Sequence, residues 1–274
     1  MTPFSVGNVW IGEGRLAIIA GPCLAESYEL CLQVGQTMAR LCADRGFGYV
    51  FKASFDKANR TSAGSVRGSG MEEGVDMIAR VGSELGAPTT TDVHLPEQCG
   101  PVAERIDLLQ IPAFLSRQSD LLEAAAQTGK PVNVKKGQFL APHDTKNIVE
   151  KLQGYEANGI MLTERGASFG YNALIVDFPG LETMRGFGVP VCFDATHSAQ
   201  RPGGQGSSTG GARETIPAMV RAAVAVGIDA LFLEVHPDPG RALSDSATQW
   251  PLNDAERLLD QVAALDAVRG RLSV

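Results

Sequence analysis

No stretch of this chain stays apolar for the roughly 18 residues that a membrane-spanning helix needs. The nearest approach, 222–235, is broken by Gly227 and Asp229. The N-terminal Met-Thr-Pro-Phe-Ser-Val lacks a basic stretch followed by an apolar core, so no signal peptide is expected. An excess of positive charge is also missing. Lys plus Arg is 24 against 31 Asp plus Glu, a formal balance of −7. A general nucleic-acid binder carries a basic stripe, so that class is set aside. A disulfide framework is missing too. The five cysteines, Cys23, Cys31, Cys42, Cys99 and Cys192, are odd in number and form no CxxC. That usage fits a reducing compartment. Four of them sit in apolar surroundings and read as buried hydrophobes. Finally, no charge run or Pro-rich linker divides the chain, so 1–274 is expected to be one domain.

What is present is a regular alternation. Hydrophobic residues make up 44% and charged residues 20% of the 274 residues, which places the chain in the globular class. Short apolar runs recur at 16–20, 49–51, 88–93, 108–111, 132–134, 160–162, 190–193 and 230–235. Segments with helical periodicity lie between them, among them 29–45, 72–85, 120–128, 145–157 and 215–226. Strands alternating with helices imply right-handed crossovers and a parallel sheet. Eight such units in about 250 residues match an α/β fold of the closed (β/α)8 TIM barrel type. An open doubly wound sheet is the alternative, but it normally has fewer strands. The first fifteen residues precede the first strand and are expected to form a short N-terminal cap.

Each apolar run ends in polar groups: Cys23 with Glu26, Lys52, Asp92, Gln110, Lys135, Glu164 with Arg165, Asp194 with His197, and Glu234 with His236. In a barrel, the C-terminal strand ends build the active site. Strand parity agrees. If Val132 and Val134 pack under helices, Asn133 and Lys135 point into the barrel, and Phe232 and Glu234 likewise share an inner side. The cations Lys52, Lys57, Arg60, Lys135, Lys136 and Arg165 cluster at these ends, with Arg117 at the start of the helix after the fourth strand. Such a cluster inside an acidic protein suggests a ligand with more than one negative charge. Lys136 points outward by parity and reads as a surface charge. The Gly- and Ser-rich stretch 202–211 is either a lid, a phosphate-cradling turn or a plain flexible loop, and it is not a P-loop.

Cys23, His197, Glu234 and Asp245 follow strands one, seven and eight, which are neighbours in a closed barrel. A thiolate, an imidazole and two carboxylates suit a divalent ion such as Zn2+, Fe2+ or Mn2+. No compact ligand motif marks the set, and a small buried thiol is the rival reading of Cys23. His94 and His236 compete with His197, and spacing does not choose among them.

Taken together, the motifs resemble a known family. They are Ile19-Ala-Gly-Pro-Cys23, the stretch KASFDKANRTS at 52–62, Thr91-Asp-Val-His94 and Gln110-Ile-Pro-Ala-Phe-Leu-Ser-Arg-Gln118. They continue with Val132-Asn-Val-Lys-Lys136, Thr163-Glu-Arg-Gly166, Phe193-Asp-Ala-Thr-His-Ser198, Glu234-Val-His-Pro-Asp-Pro239 and Leu243-Ser-Asp245. The chain closely resembles the 3-deoxy-D-manno-octulosonate 8-phosphate synthases from about Leu16 to Leu252. The resemblance implies a (β/α)8 barrel, usually a cytoplasmic homotetramer. It also implies condensation of phosphoenolpyruvate with D-arabinose 5-phosphate on the way to the lipopolysaccharide inner core. Both substrates are anionic, in keeping with the cation cluster.

Carried over residue by residue, the resemblance places Lys135 and Arg165, with Ala113 nearby, on the phosphoenolpyruvate phosphate. Lys52, Lys57 and Gln110 would hold its carboxylate end. Asn59, Arg60, Thr61 and Ser62 would contact arabinose 5-phosphate, and Arg117 would reach the sugar phosphate in a neighbouring subunit. Asp92 lies at the site mouth, and Lys52, Lys57, Asn59, Asp92 and Lys135 form the implied catalytic set. The family has a class with a divalent metal on Cys, His, Glu and Asp, and a metal-free class with Asn in place of Cys. Cys23, Leu95, Gly137 and Leu243-Ser-Asp245 look like the metal class. Thr61 departs from the more usual Ser, which leaves aldose selectivity open. A sister group that uses erythrose 4-phosphate reads Lys-Pro-Arg-Thr-Ser, whereas Ala58 and Asn59 precede Arg60 here. Two rivals stand beside this reading: a Schiff-base aldolase using Lys52 or Lys135, and a barrel that only binds a sugar phosphate.

Overall fold

Residues 1–58, 64, 66–203 and 210–269 are described by the computed structural model. The chain begins with alternating burial, which makes a hairpin: β1 (Phe4–Val6) pairs antiparallel with β2 (Val9–Ile11). Gly7, at φ +54°, supplies the left-handed residue that a tight two-residue turn requires. Phe4, Val6, Val9 and Ile11 turn inward, while Ser5 and Trp10 face out.

The barrel follows. Its elements in order are β3 (Ala17–Gly21), α1 (Tyr28–Ala43), β4 (Gly48–Lys52), α2 (Met71–Leu85), β5 (Thr89–Asp92), α3 (Pro96–Ala103), β6 (Leu108–Ile111) and α4 (Ser119–Ala126). Next come β7 (Val132–Lys135), α5 (Lys146–Gly154), β8 (Ile160–Glu164), the short pair β9 (Ala167–Ser168) and β10 (Leu174–Ile175), and α6 (Phe178–Arg185). The chain continues through β11 (Val191–Asp194), the single turn α7 (Ala195–Ser198), and the pair β12 (Gln200–Arg201) and β13 (Gly210–Gly211). It ends with α8 (Ile216–Val226), β14 (Ala230–His236), β15 (Trp250–Pro251) and α9 (Ala255–Arg269). The eight parallel strands run in the order β11-β8-β7-β6-β5-β4-β3-β14, and pairing of β11 with β14 closes the cylinder. Every one of the eight apolar runs in the sequence is a barrel strand, so the closed barrel replaces the open-sheet alternative.

The helices were less legible. The periodic segment 145–157 is a 3-10 turn, Pro142–Thr145, running into a shorter α5. Pro96 and Pro101 in α3 and Pro179 in α6 interrupt the periodicity that would have marked those helices. Ser27 caps α1 by accepting from the Leu30 N–H, and Asp177 caps α6 by accepting from the Gly180 N–H. Apolar residues on the outer strand face, such as Phe51, Val134 and Phe193, pack under the helices. The inner residues of the lower barrel, including Ile19, Val50, Leu108, Met161 and Phe232, meet the hairpin instead. The hairpin is thus the expected cap, a plug for the N-terminal end. The opposite end is left for the polar residues.

Candidate active site

Inward parity carries Lys52, Asp92, Gln110, Asn133, Lys135, Thr163, Asp194 and Glu234 to the upper barrel, and all are buried. Above them a cavity of about 640 Å3 opens at the C-terminal strand ends. Lys52, Lys57, Asp92, Lys135, Arg165 and Asp245 line it, as do Ala113 and His197.

A directional chain of hydrogen bonds crosses its floor. Thr163 Oγ1 donates to Asn133 Oδ1 at 2.6 Å, and Asn133 Nδ2 donates to Gln110 Oε1 at 2.9 Å. Gln110 Nε2 in turn donates to Asp92 Oδ1 at 2.8 Å. Ser54 Oγ donates to the other oxygen, Asp92 Oδ2, at 2.7 Å. Lys52 and Lys57 both donate to Ser54 Oγ, at 3.0 and 3.1 Å. Burial opposes ionisation of Asp92, but the charges of Lys52, Lys135 and Lys57 outweigh it and hold the carboxyl far below its usual range. Gln110 therefore lies one layer beneath the cavity, with its carbonyl oxygen and one N–H already engaged. Ser54 was missed in the sequence, although it stands two residues after Lys52 inside KASFDK.

The cations are not bare. Lys52 Nζ lies 3.1 Å from Glu234 Oε1 and 3.8 Å from Asp92, Lys57 lies 3.6 Å from Glu234, and Lys135 lies 2.7 Å from Asp194. Lys135 Nζ also sits 3.9 Å above the Phe232 ring. Burial works against the charge on Lys57, yet the acidic groups of Cys23, Glu234, Asp245 and Asp92 push its ammonium pKa well above the ordinary value. Arg165 differs. Its Nη2 donates to Gln200 Oε1 at 2.8 Å, while the buried Nη1 has no partner among the described residues. An unsatisfied buried guanidinium N–H facing a cavity has the chemistry to take an anion.

Cys23 Sγ, Glu234 and Asp245 offer ligand atoms that all lie within 4.8 Å of one another. His197 Nε2 is 3.5 Å from Asp245 Oδ2 and 3.6 Å from Glu234 Oε1. Its other nitrogen, Nδ1, is 2.8 Å from Asp194 Oδ2, an arrangement of the kind that orients an imidazole toward a metal. Glu234 Oε2 is buried without a partner among the described residues. The donor set, the orphaned oxygen and the clustering fit a divalent ion. The competing histidines do not join this cluster, although His94 lines the same cavity. His94 packs edge-on against Phe55, and His236 Nδ1 accepts the Asp238 N–H at 3.0 Å. Burial, then the charges of Asp245 and Glu234, push the Cys23 thiol well above its ordinary pKa. Further contacts hold these groups. Gln249 accepts the Cys23 N–H at 3.1 Å, Glu26 accepts the Leu243 N–H at 3.0 Å, and Asp245 itself sits at φ +46°.

Several expected residues fall elsewhere. Asn59, Arg60, Thr61 and Ser62 lie outside the described residues, as does 204–209 of the Gly- and Ser-rich stretch. Pro202 and Gly203 line the cavity, and β12 and β13 pair at the two sides of that stretch. Arg117 is exposed in the turn before α4 and lies apart from this cavity. The surface reading of Lys136 is overturned. Its parity is outward as expected, but its ammonium is buried 3.4 Å from Glu164 Oε2, since an outward residue in this barrel meets helices and loops instead of water. All five cysteines are buried and free.

A sequence profile described as the DAHP synthetase I family matches residues 1–269. The chain is 54% identical over 251 residues to the 2-dehydro-3-deoxyphosphooctonate aldolase of Nitratidesulfovibrio vulgaris strain Hildenborough, covering 92% of each chain. Against the enzyme of that name from a Cyanothece species it is 54% identical over 256 residues, 93% of this chain and 94% of the relative. Against the one from Rhizobium meliloti it is 53% identical over 271 residues, 95% and 97% of the two chains. That name and 3-deoxy-D-manno-octulosonate 8-phosphate synthase denote the same enzyme group. With a closed barrel, a polar mouth and near-complete coverage at this identity, the chain belongs to the DAHP synthetase I family and, within it, to the 2-dehydro-3-deoxyphosphooctonate aldolases.

Proposed function

We propose that this cavity condenses phosphoenolpyruvate with D-arabinose 5-phosphate and water, giving 3-deoxy-D-manno-octulosonate 8-phosphate and inorganic phosphate. The observation that carries this is that Lys52, Lys57, Lys135 and Arg165 line one cavity, with Cys23, Glu234 and Asp245 clustered beside it and His197 within 3.6 Å of both carboxylates. Arg165, whose Nη1 has no partner among the described residues, and Lys135 take the enol phosphate. Lys52 and Lys57 take the carboxylate and face the aldehyde. Asn59, Arg60, Thr61 and Ser62 supply contacts to the sugar phosphate.

C3 of the enol phosphate attacks the aldehyde carbon, and water adds at C2, where positive character develops. The resulting hemiketal phosphate collapses by C–O cleavage and releases phosphate. The residues contribute chiefly by holding mutually repelling anions in attack geometry and by offsetting their charge. Ionised Asp92, fixed through both oxygens, keeps Ser54 and the two lysines in register. Cys23, His197, Glu234 and Asp245 would hold a divalent ion, which supplies a Lewis acid beside the lysines. The Schiff-base rival at Lys52 or Lys135 is tested by borohydride: a trapped substrate adduct on either lysine would overturn this mechanism.

The same reading takes the chain to the cytoplasm, where its product feeds the lipopolysaccharide inner core. It makes the protein a homotetramer in which Arg117 reaches a neighbour's site. Phe114, Phe139, Phe169 and Tyr171 stand exposed on loops after three successive strands, β6, β7 and β8, an apolar rim that a second copy would cover. No helix among the described residues is long and apolar enough to cross a membrane.

The test is phosphate release from phosphoenolpyruvate with arabinose 5-phosphate, with and without a chelator, and with erythrose 4-phosphate as control. Release that needs arabinose 5-phosphate, is abolished by chelation and returns with a divalent ion is expected. Release that survives thorough chelation makes Cys23 a bystander, and release only with erythrose 4-phosphate overturns the substrate reading.

A further inference from the structure

Lys136 and Glu164 form a buried ion pair that the chemistry above does not use. Each lies one residue from a cation assigned to the phosphate: Lys135 precedes Lys136, and Arg165 follows Glu164. Strand alternation puts the two members of each dipeptide on opposite sides of the barrel wall. Lys135 and Arg165 face the cavity, and Lys136 and Glu164 face away from it, 1% and 0% exposed. The wall between is continuous, because the Lys136 N–H donates to Thr163 O at 2.8 Å and Lys135 is in register with Thr163.

The pair ties four pieces of backbone together. Lys136 Nζ lies 3.4 Å from Glu164 Oε2 and donates to Leu140 O at 3.2 Å, which fixes the loop after β7. Glu164 Oε1 accepts the Gly166 N–H at 2.6 Å, which fixes the turn that carries Arg165. Gly166 takes φ +89° there, a conformation suited to glycine. Burying two opposite charges rarely gains net stability over an apolar pair, so its worth is better sought in geometry. A bare salt link elsewhere on the wall would not serve. This one spans the two strands whose adjacent residues, Lys135 and Arg165, are assigned above to one phosphate.

We propose that the Lys136–Glu164 pair is a positioning device that sets the separation and aim of Lys135 and Arg165, and so the affinity of the site for the phosphate of the enol phosphate. The proposal rests on the assignment of those two cations given above.

Its test is steady-state kinetics on the metal-loaded enzyme with KM measured for each substrate. Lys136→Met is expected to raise KM for phosphoenolpyruvate about tenfold or more, since small misplacements of a binding group are costly. KM for arabinose 5-phosphate should stay within about twofold, and Lys136→Arg should recover most of the loss. If Lys136→Met leaves Glu164 uncompensated and does not fold, Lys136→Met/Glu164→Gln removes both charges. It is expected to fold and still show the selective rise. An unchanged KM for phosphoenolpyruvate, or an equal rise for both substrates, overturns the positioning role. Lys135→Met run in parallel separates the two failures. If it leaves KM for phosphoenolpyruvate unchanged, the phosphate assignment fails and the inference with it. If it raises KM and the Lys136 variants do not, the inference alone fails.

Discussion

Asp92 illustrates how one side chain can be read for both stability and chemistry. It accepts from Ser54 and Gln110 and lies 3.8 Å from Lys52, in a buried setting. Burial alone would raise its pKa, and the surrounding lysines reverse the sign. The folded carboxyl thus ionises more readily than the unfolded one, so in acid the unfolded chain binds more protons. Its stabilisation is complete above the unfolded pKa of about 3.9 and is lost as pH falls below that toward the folded value. Asp92→Asn removes this dependence. Urea unfolding should find the gap between wild type and Asp92→Asn widest near neutral pH and narrowing below about pH 4. A gap independent of pH would mean that Asp92 is not ionised against the lysines.

At the scale of elements, the path of β3 beside β4 turns on one glycine. A Cβ on Gly21 would lie 1.9 Å from the Lys52 carbonyl oxygen, a backbone atom that cannot swing aside. The close approach lets the Pro22-Cys23 turn reach over the end of β4, where the Leu24–Ser54 bridge forms. Gly21→Ala is expected to cost about 4 kcal/mol or more, in the range reserved for steric failure. Gly100→Ala in α3, where a Cβ would meet nothing within 4 Å, should be neutral or stabilise by about 0.4–1 kcal/mol. Thermal unfolding of the pair separates a packing requirement from a generic glycine effect. The same contrast explains what the sequence made legible. Barrel strands announced themselves because both faces are buried, and the parity of Asn133 and Lys135 against Val132 and Val134 gave their facing directly. Polar strand ends located the mouth for the same reason. The pairings across the wall were not legible: nothing local says that outward Lys136 meets Glu164 from the next strand, or that Ser54 joins two lysines to Asp92. Nor did local spacing select His197 over His94 and His236, since the choice depends on Glu234 and Asp245, far along the chain, lying 3.6 and 3.5 Å from its Nε2.

At the scale of the whole molecule, the barrel keeps its two tasks at opposite ends. The upper interior holds the charged network around the cavity. The lower interior is apolar and closed by the hairpin, with Ile11 and Val6 fully buried against the inner strand residues. The hairpin therefore contributes through burial alone. Ile11→Ala should leave a cavity there and destabilise by about 2–5 kcal/mol. Because closed, densely packed strands separate that cavity from the mouth, KM for both substrates should remain near wild type at temperatures where the variant is folded. Unfolding by denaturant together with kinetics on the same sample checks both halves. A change in KM without unfolding would show that the hairpin's packing reaches the cations through the barrel interior, by way of Phe232, the residue that lies against the hairpin cluster below and under Lys52 and Lys135 above.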